Sequence, residues 1–260
     1  MRTPRRVAGL ATVTVLALGA AACGTAEAGI GGAAAPTPAQ NLVAAAPDAT
    51  TPAFAFTAKG GCVATFSGII DAASETAQVT TIVKTPHGTV TMSFLAFGTD
   101  GSYARITSKP ASLLTRAGIP RSWVRMNPAK LAGAQDGLVT FTERSLDPMG
   151  VGALATVASG VVQSGAGQAG AKFTGTVDLT RIVEDESPIA SATLSELGEK
   201  AKTVPFEAVV DNAGNLTTMK IMPPSAKACT MTYGKYGKAR TPSAPKAKKA
   251  PDVVYTMLNS

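Results

Sequence analysis

From residue 62 onward, apolar and polar side chains alternate with a period of two, and turn residues separate the runs. Cys62 to Ile70, Ala77 to Lys84, Thr89 to Phe97 and Ser102 to Thr107 therefore predict successive strands, since alternate strand side chains point to opposite faces. Pro86-His87-Gly88 and Thr99-Asp100-Gly101 punctuate them, and Asp-Gly supplies the positive-φ positions of a tight hairpin. This is an antiparallel meander. Lys109-Pro110 then opens a helical patch, Ala111 to Ala117, which Gly118 ends. Ser122 to Met126 returns to a short strand, and Asn127-Pro128 starts another turn of helix. Asp147-Pro148 caps a helix through roughly Ala158, with Leu154 on its buried face. Beyond a Gly-rich loop, Lys172 to Thr180 alternates again: Phe173, Val177 and Leu179 share one face, and Thr174, Thr176 and Asp178 take the other. Thr193 with Glu196 reads as a capping box for a helix from Ser195 to Lys202. Pro205 to Asp211, the turn Asn212-Ala213-Gly214 and Asn215 to Met222 form a hairpin, and Ala228 to Tyr233 is the closing strand. The fold class is α+β. A large antiparallel sheet must bury one face, and short helices covering a concave side give a half-barrel.

Ahead of the strands the pattern is different. Met1 to Arg6 is basic, Val7 to Ala22 is an apolar run, and Ala20-Ala21-Ala22 precedes Cys23. That is the layout of a secretory signal, and the run is too short for a permanent span. A cysteine directly after small residues resembles the lipobox of bacterial lipoproteins. The resemblance implies that residues 1–22 are removed and that Cys23 carries lipid. Each buried methylene of an acyl chain contributes about 0.8 kcal/mol, and two or more chains hold stably where one does not. The expected location is the outer face of the cell membrane. Residues 23–36 are small and nearly uncharged, a flexible linker. Pro38 to Ala46 reads as a short helix with Thr37 as N-cap, closed by Pro47. A domain over 37–236 follows, then a basic Pro/Lys/Ala-rich tail, 237–260, read as mostly disordered.

The formal charge of +7 is unevenly placed. Without Arg2, Arg5 and Arg6 it is +4, and the tail from Lys235 to Lys249 holds six basic residues and no acids, leaving −2 for the body. The tail either touches anionic headgroups or wall polymers, or is simply solvated. Aromatic residues are too scattered for nucleic-acid stacking platforms, so no nucleic-acid partner is expected. With Cys23 modified, Cys62 and Cys229 remain, either as a disulfide tying the first strand to the last or as two buried thiols.

Candidate chemistry is sparse. The single histidine, His87, sits in a turn, no G-x-S-x-G elbow occurs, and the acids are dispersed. Glu184-Asp185-Glu186 lacks the alternation of a calcium loop. Gly165 to Gly170 matches G-x-G-x-x-G, but a β-patterned segment follows where a dinucleotide site needs a helix. The reading is a non-enzyme without catalytic residues, metal or cofactor.

Taken in order, the lipobox, linker, helix, meander, Trp123 strand, Asp147-Pro148 helix and Phe173-Thr174-Gly175-Thr176-Val177-Asp178-Leu179 resemble the LppX/LprG-type lipoproteins of actinobacteria. Pro205 to Asp211 with Gly214-Asn215-Leu216 resembles that family's penultimate hairpin. The family is similar in fold to the LolA and LolB lipoprotein carriers. The resemblance implies a curved sheet with helices over its concave face and an apolar cavity that holds a lipid or lipoglycan. The Cys62/Cys229 pair and the basic tail stand outside the family pattern. Alternation nominates Met92 and Phe94, Phe173, Val177 and Leu179, and Phe206, Ala208 and Val210 as the lining, or else as members of a filled core. The alternative function is an interaction or sensor module for wall polymers or envelope proteins.

Overall fold

Alternation built on β-branched and aromatic residues does produce strands here, and they join into one open sheet. The computed structural model describes residues 35–259 apart from 63, 99–100, 133–139, 166–169 and 184–186. The signal segment, Cys23, most of the linker, Asp100, Asp136, Glu184-Asp185-Glu186 and the centre of the Gly165–Gly170 loop lie outside the described residues.

The first meander comprises β1 (Phe54–Gly60), β2 (Thr65–Asp71), β3 (Thr76–Thr85), β4 (Gly88–Phe97), β5 (Gly101–Lys109) and β6 (Val124–Met126). The second comprises β7 (Ala158–Ser164), β8 (Ala171–Val177), β9 (Val204–Val210), β10 (Leu216–Ile221) and β11 (Cys229–Gly234). A short β12 (Lys248–Lys249) adds parallel to β6. The order across the sheet is β12-β6-β5-β4-β3-β2-β1-β11-β10-β9-β8-β7. The chain thus runs to one edge, crosses to the other and returns to the centre, where β11 pairs antiparallel with β1. All other neighbours apart from β12 and β6 are antiparallel too. The fold is α+β.

Register puts one apolar row after another on the same face. Phe56 lies opposite Tyr233 and Gly68, Gly68 opposite Val79, and Val79 opposite Phe94. This face is covered by α1 (Pro38–Ala44), α2 (Ser112–Arg116), α3 (Glu143–Leu146), α4 (Val151–Thr156), α5 (Ser191–Leu197) and α6 (Asp252–Leu258). Thr37 caps α1 as expected, completing a capping box with Gln40. Gly118 (φ 69°) ends α2, and Ile119 N–H donates back to Leu114 O.

Two glycines make room for rings on this face. A Cβ on Gly68 would sit 2.7 Å from the Phe56 ring, and one on Gly175 would sit 2.9 Å from the Phe206 ring. Each phenylalanine is the direct cross-strand partner of its glycine and shields the backbone that the missing side chain leaves open.

Several elements differ from the sequence pattern. β1 and β7 were not expected, and Cys62 lies in the β1–β2 connection, with β2 beginning at Thr65. The helix expected to start at Asp147 begins only at Val151, after its N-cap Gly150 with φ 62°, while Asp147 is the C-cap of the preceding α3; α4 ends at Thr156 and Ala158 already belongs to β7. β8 ends at Val177 because Asp178 accepts a hydrogen bond from Thr180 N–H and caps a 3₁₀ turn, so Leu179 leaves the strand while staying buried. Ala190 is the N-cap of α5, which places Thr193 inside the helix and removes the expected capping box; a 3₁₀ turn over Gly198–Thr203 follows.

The largest correction concerns the tail. Residues 237–259 are ordered: Gly237 N–H donates to Ala53 O, and the Thr241 hydroxyl bonds the Asp71 carboxylate. Beyond them β12 pairs with β6, and α6 buries Val254, Tyr255 and Leu258. The Tyr255 hydroxyl accepts from Asn127 N–H at 2.7 Å, and Lys130 pairs with Asp252 at 2.7 Å. From β2 to β12 the strap passes five strand spacings of about 4.8 Å, roughly 24 Å. The seven residue steps from Thr241 to Lys248 reach about 23–25 Å when fully extended. It is therefore nearly straight. Proline suits such a segment, because an extended connection has no ladder hydrogen bonds to lose. Composition signals disorder; a few backbone and hydroxyl anchors override it.

Cys62 and Cys229 are bonded, with Cα atoms 4.6 Å apart across a sequence separation of 167. The bridge links the β1–β2 connection to the first residue of β11, so it staples the two meanders at their seam. Constraining so long a loop contributes at most about 5 kcal/mol in the chain-entropy picture. Reducing the bond is expected to cost about 2–5 kcal/mol, read as a lower guanidinium midpoint; an unchanged midpoint would show that the seam does not need it. Gly68→Ala is expected to cost roughly 1–3 kcal/mol in urea unfolding, because the added methyl would collide with the Gln78 carbonyl oxygen and with the Phe56 ring, which outweighs alanine's better backbone propensity.

Candidate functional site

The covered face carries two packed clusters. The first gathers Leu42 of α1, Leu154 of α4 and Leu197 of α5 over Phe54, Phe56, Phe173, Phe206, Met219 and Met231. The second sets Leu114 of α2 and Val254, Tyr255 and Leu258 of α6 over Phe94, Ala104, Ile106, Val124 and Met126. Helices N-terminal to and within the second meander roof one cluster; α2 and the C-terminal helix roof the other.

Between the two roofs runs a strip across β2, β3 and β4. Phe66 and Val79 pack against the first cluster, Val90 and Met92 against the second, and all four are only partly buried. Register aligns Phe66, Thr81 and Met92 in one row and Val83 with Val90 in the next. Val83 remains 40% exposed although it points to the covered face. The strip is apolar apart from Thr81, faces the helix side and borders both clusters. A site of this kind offers surface for hydrocarbon and no group for covalent chemistry.

The nominated lining residues divide accordingly. Phe173, Val177, Leu179, Phe206, Ala208 and Val210 are buried together in the first cluster. Phe94 is buried in the second, and Met92 lies in the strip beside it. All eight face the helix side, and Met92 is the one that the strip exposes. Phe66, Val79, Val83 and Val90 were not singled out from sequence; their alternation is visible, but the gap between two roofs depends on where distant helices dock. His87 is exposed in the two-residue β3–β4 turn, where its N–H donates to Thr85 Oγ1.

A concavity of about 280 Å³, open to solvent, lies away from the strip, where β5 begins and β6 ends. Ser102, Arg125, Met126, Asn127 and Thr140 line it, with Gly98, Gly101 and Pro128. Among the described residues no cluster of three metal-ligating side chains occurs, and no helix is long and apolar enough to cross a membrane.

Polar atoms beneath the first roof are few. The Asp147 carboxylate accepts from Gly152 N–H at 2.6 Å, tying α4 to the residue that precedes it. The Tyr236 hydroxyl donates to Leu216 O, and the Tyr236 ring lies 5.6 Å from that of Phe54. The Tyr233 hydroxyl is buried without a hydrogen-bond partner among the described residues. Burial, and next the Asp147 charge, push the Tyr233 phenol well above its ordinary range; burial and then Asp211 raise Tyr236.

Compared with family models and with curated proteins, the chain matches none.

Because Tyr233 stays protonated in the folded chain while an unfolded tyrosine ionises near pH 10, the unfolded state holds fewer protons above that pH. Stability is therefore expected to fall as pH rises beyond about 10, by up to about 1.4 kcal/mol per pH unit from this residue. Tyr233→Phe should blunt that fall and be neutral or stabilising at pH 7, since it deletes an unpaired polar atom. A loss above about 1 kcal/mol at pH 7 in chemical denaturation would show that the hydroxyl has a partner.

Proposed function

We propose that this chain is a cell-envelope lipoprotein, tethered through Cys23 to the outer face of the membrane. It shelters the acyl chains of a lipid or lipoglycan on the helix side of its sheet, as the LppX/LprG resemblance implies. The observation that carries the reading is the half-buried strip Phe66, Val79, Val83, Val90 and Met92, apolar surface left between two roofs of one sheet face. Hydrocarbon entering there would extend both packed clusters and remove the strip from water, at about 25 cal/mol per Å² of apolar surface buried.

A half-barrel curvature belongs to the same proposal. Glycines under aromatic rings at Gly68 and Gly175, with register shifts at Leu216/Thr218 and Ser159/Val162, are devices by which sheets bend. Bending would bring the two roofs towards each other and make the strip the mouth of a cavity.

One observation favours a second reading. Six of the eight nominated lining residues are packed in the first cluster, which suits a lipoprotein that recruits wall polymers or envelope proteins without carrying a lipid.

Native mass spectrometry of protein extracted from membranes separates the two. The carrier reading expects a co-purifying lipid adduct, and Val83→Glu, at an already exposed strip position, should reduce its occupancy at least several-fold while leaving the unfolding midpoint unchanged. Bare protein at every extraction condition would overturn the carrier reading.

A further inference from the structure

The solvent face of the sheet, opposite the helices, is strongly one-sided in charge. Alternation directs Lys59, Lys84, Arg105, Lys109, Arg125 and Lys220 to this face, all exposed but the half-buried Lys220. Among the described strand residues its acids are Asp71, held by the Thr241 hydroxyl, and Glu207, paired with Lys172 at 3.1 Å. Among the described residues none of the six cations forms a salt bridge. The strap adds Lys238, Arg240 and Lys246, all exposed, along the end of the face marked by Asp71 and Arg125.

Rows of hydroxyls run between several of these cations, beside a more apolar row of Ile69, Gln78, Leu95 and Tyr103 that leads to Arg125. One row reads Thr218, Thr232, Thr57, Ser67, Thr80, Ser93, Arg105 across seven neighbouring strands. Two others read Lys59, Thr230, Lys220 and Lys84, Thr89, Lys109, so a threonine stands between two lysines about 10 Å apart. Strand propensity accounts for threonine at exposed positions. It does not account for the near-absence of acids in a body whose net charge is close to zero, with its acids elsewhere.

We infer that this face docks a flexible, anionic, hydroxyl-bearing polymer: a glycan or polyol chain carrying phosphate or carboxylate groups. Cations spread over most of the sheet match a repeating anion, whereas a small anion needs a single convergent site. Neighbouring strands rotate by about 20–25° each, so a planar bilayer would reach only a few strands, while a flexible chain follows the twist. Threonine and serine hydroxyls donate to and accept from sugar or polyol hydroxyls between the charged contacts. The hydroxyl rows carry no aromatic ring for nucleobases to stack on, and the face's Phe97 and Tyr103 pack edge-on against each other at 5.8 Å beside Arg125. The helix-side face plays no part in this inference, which stands or falls apart from lipid carriage.

The test is binding of the full-length chain to poly(glycerol phosphate) at 50 mM and 500 mM salt. A charge-reversed face, Lys59→Glu/Lys84→Glu/Arg105→Glu, is compared with an equal reversal at the exposed Arg116, Arg121 and Lys200. Circular dichroism and unfolding midpoints establish that both variants fold; these side chains are exposed, so both are expected to. The inference expects binding at low salt that weakens sharply at high salt, a loss of roughly tenfold or more for the sheet-face variant, and little change for the other. Equal loss in both variants would reduce the effect to net charge and overturn it. So would absence of binding at 50 mM salt, or tighter binding to phosphatidylglycerol vesicles or to a single-stranded oligonucleotide.

Discussion

Residues 55–60 and 229–234 must meet before the sheet exists, and everything else is arranged around that meeting. Within the sheet β1 is the strand that joins the first meander to the second, and its pairing with β11 closes a loop spanning most of the chain. Such a contact is entropically expensive to form, and the chain reinforces it at both ends. At one end Cys62 is bonded to Cys229, and Gly61 N–H donates to Ala228 O. At the other, Tyr233 and Tyr236 pack on Phe54, and Gly237 N–H donates to Ala53 O. Covalent and apolar fastenings bracket six residue pairs of backbone ladder.

Once the seam is fixed, register decides the chemistry of both faces. Side chains repeat every second residue, so a slip of one position would exchange the Phe56 face for the Thr57 face. The covered face collects phenylalanines, methionines and leucines and is roofed in two parts, because the helices come from two different stretches of chain. The strap after Tyr236 brings α6 to the far edge and completes the second roof. Without it, Phe94 and Ile106 would lose their cover, so this basic segment contributes to the core before any role at the surface.

Much of the strand pattern was legible. β3, β4, β5, β9, β10 and β11 lie within a residue or two of their alternating runs, and burial itself alternates in β5, β9 and β11, whereas β4 buries Phe94, Leu95 and Ala96 in succession. β7 was not, since an edge strand with Gly160 at φ 59° and no buried side chain carries no apolar period. β1 does alternate, through Phe54, Phe56 and Ala58, but it is short and directly follows the proline-bounded stretch Pro47 to Pro52, which reads as a loop. The eight nominated lining residues all fall on the helix-facing side, which periodicity can deliver. Whether a given one is packed or left in the strip depends on where remote helices settle, and α6 above all had no local signal.

The central claim is that hydrocarbon enters between the two roofs at the β3–β4 strip. Methyl-labelled methionine offers the most direct view, because Met92 lies in the strip while Met219 and Met231 are fully buried in the first cluster. Intermolecular NOEs between a bound lipid's acyl chain and the labelled methyls would locate it. The account predicts contacts to the Met92 methyl and none to Met219 or Met231. Acyl contacts confined to Met219 and Met231, or no acyl contact to any methionine with lipid present, would contradict it.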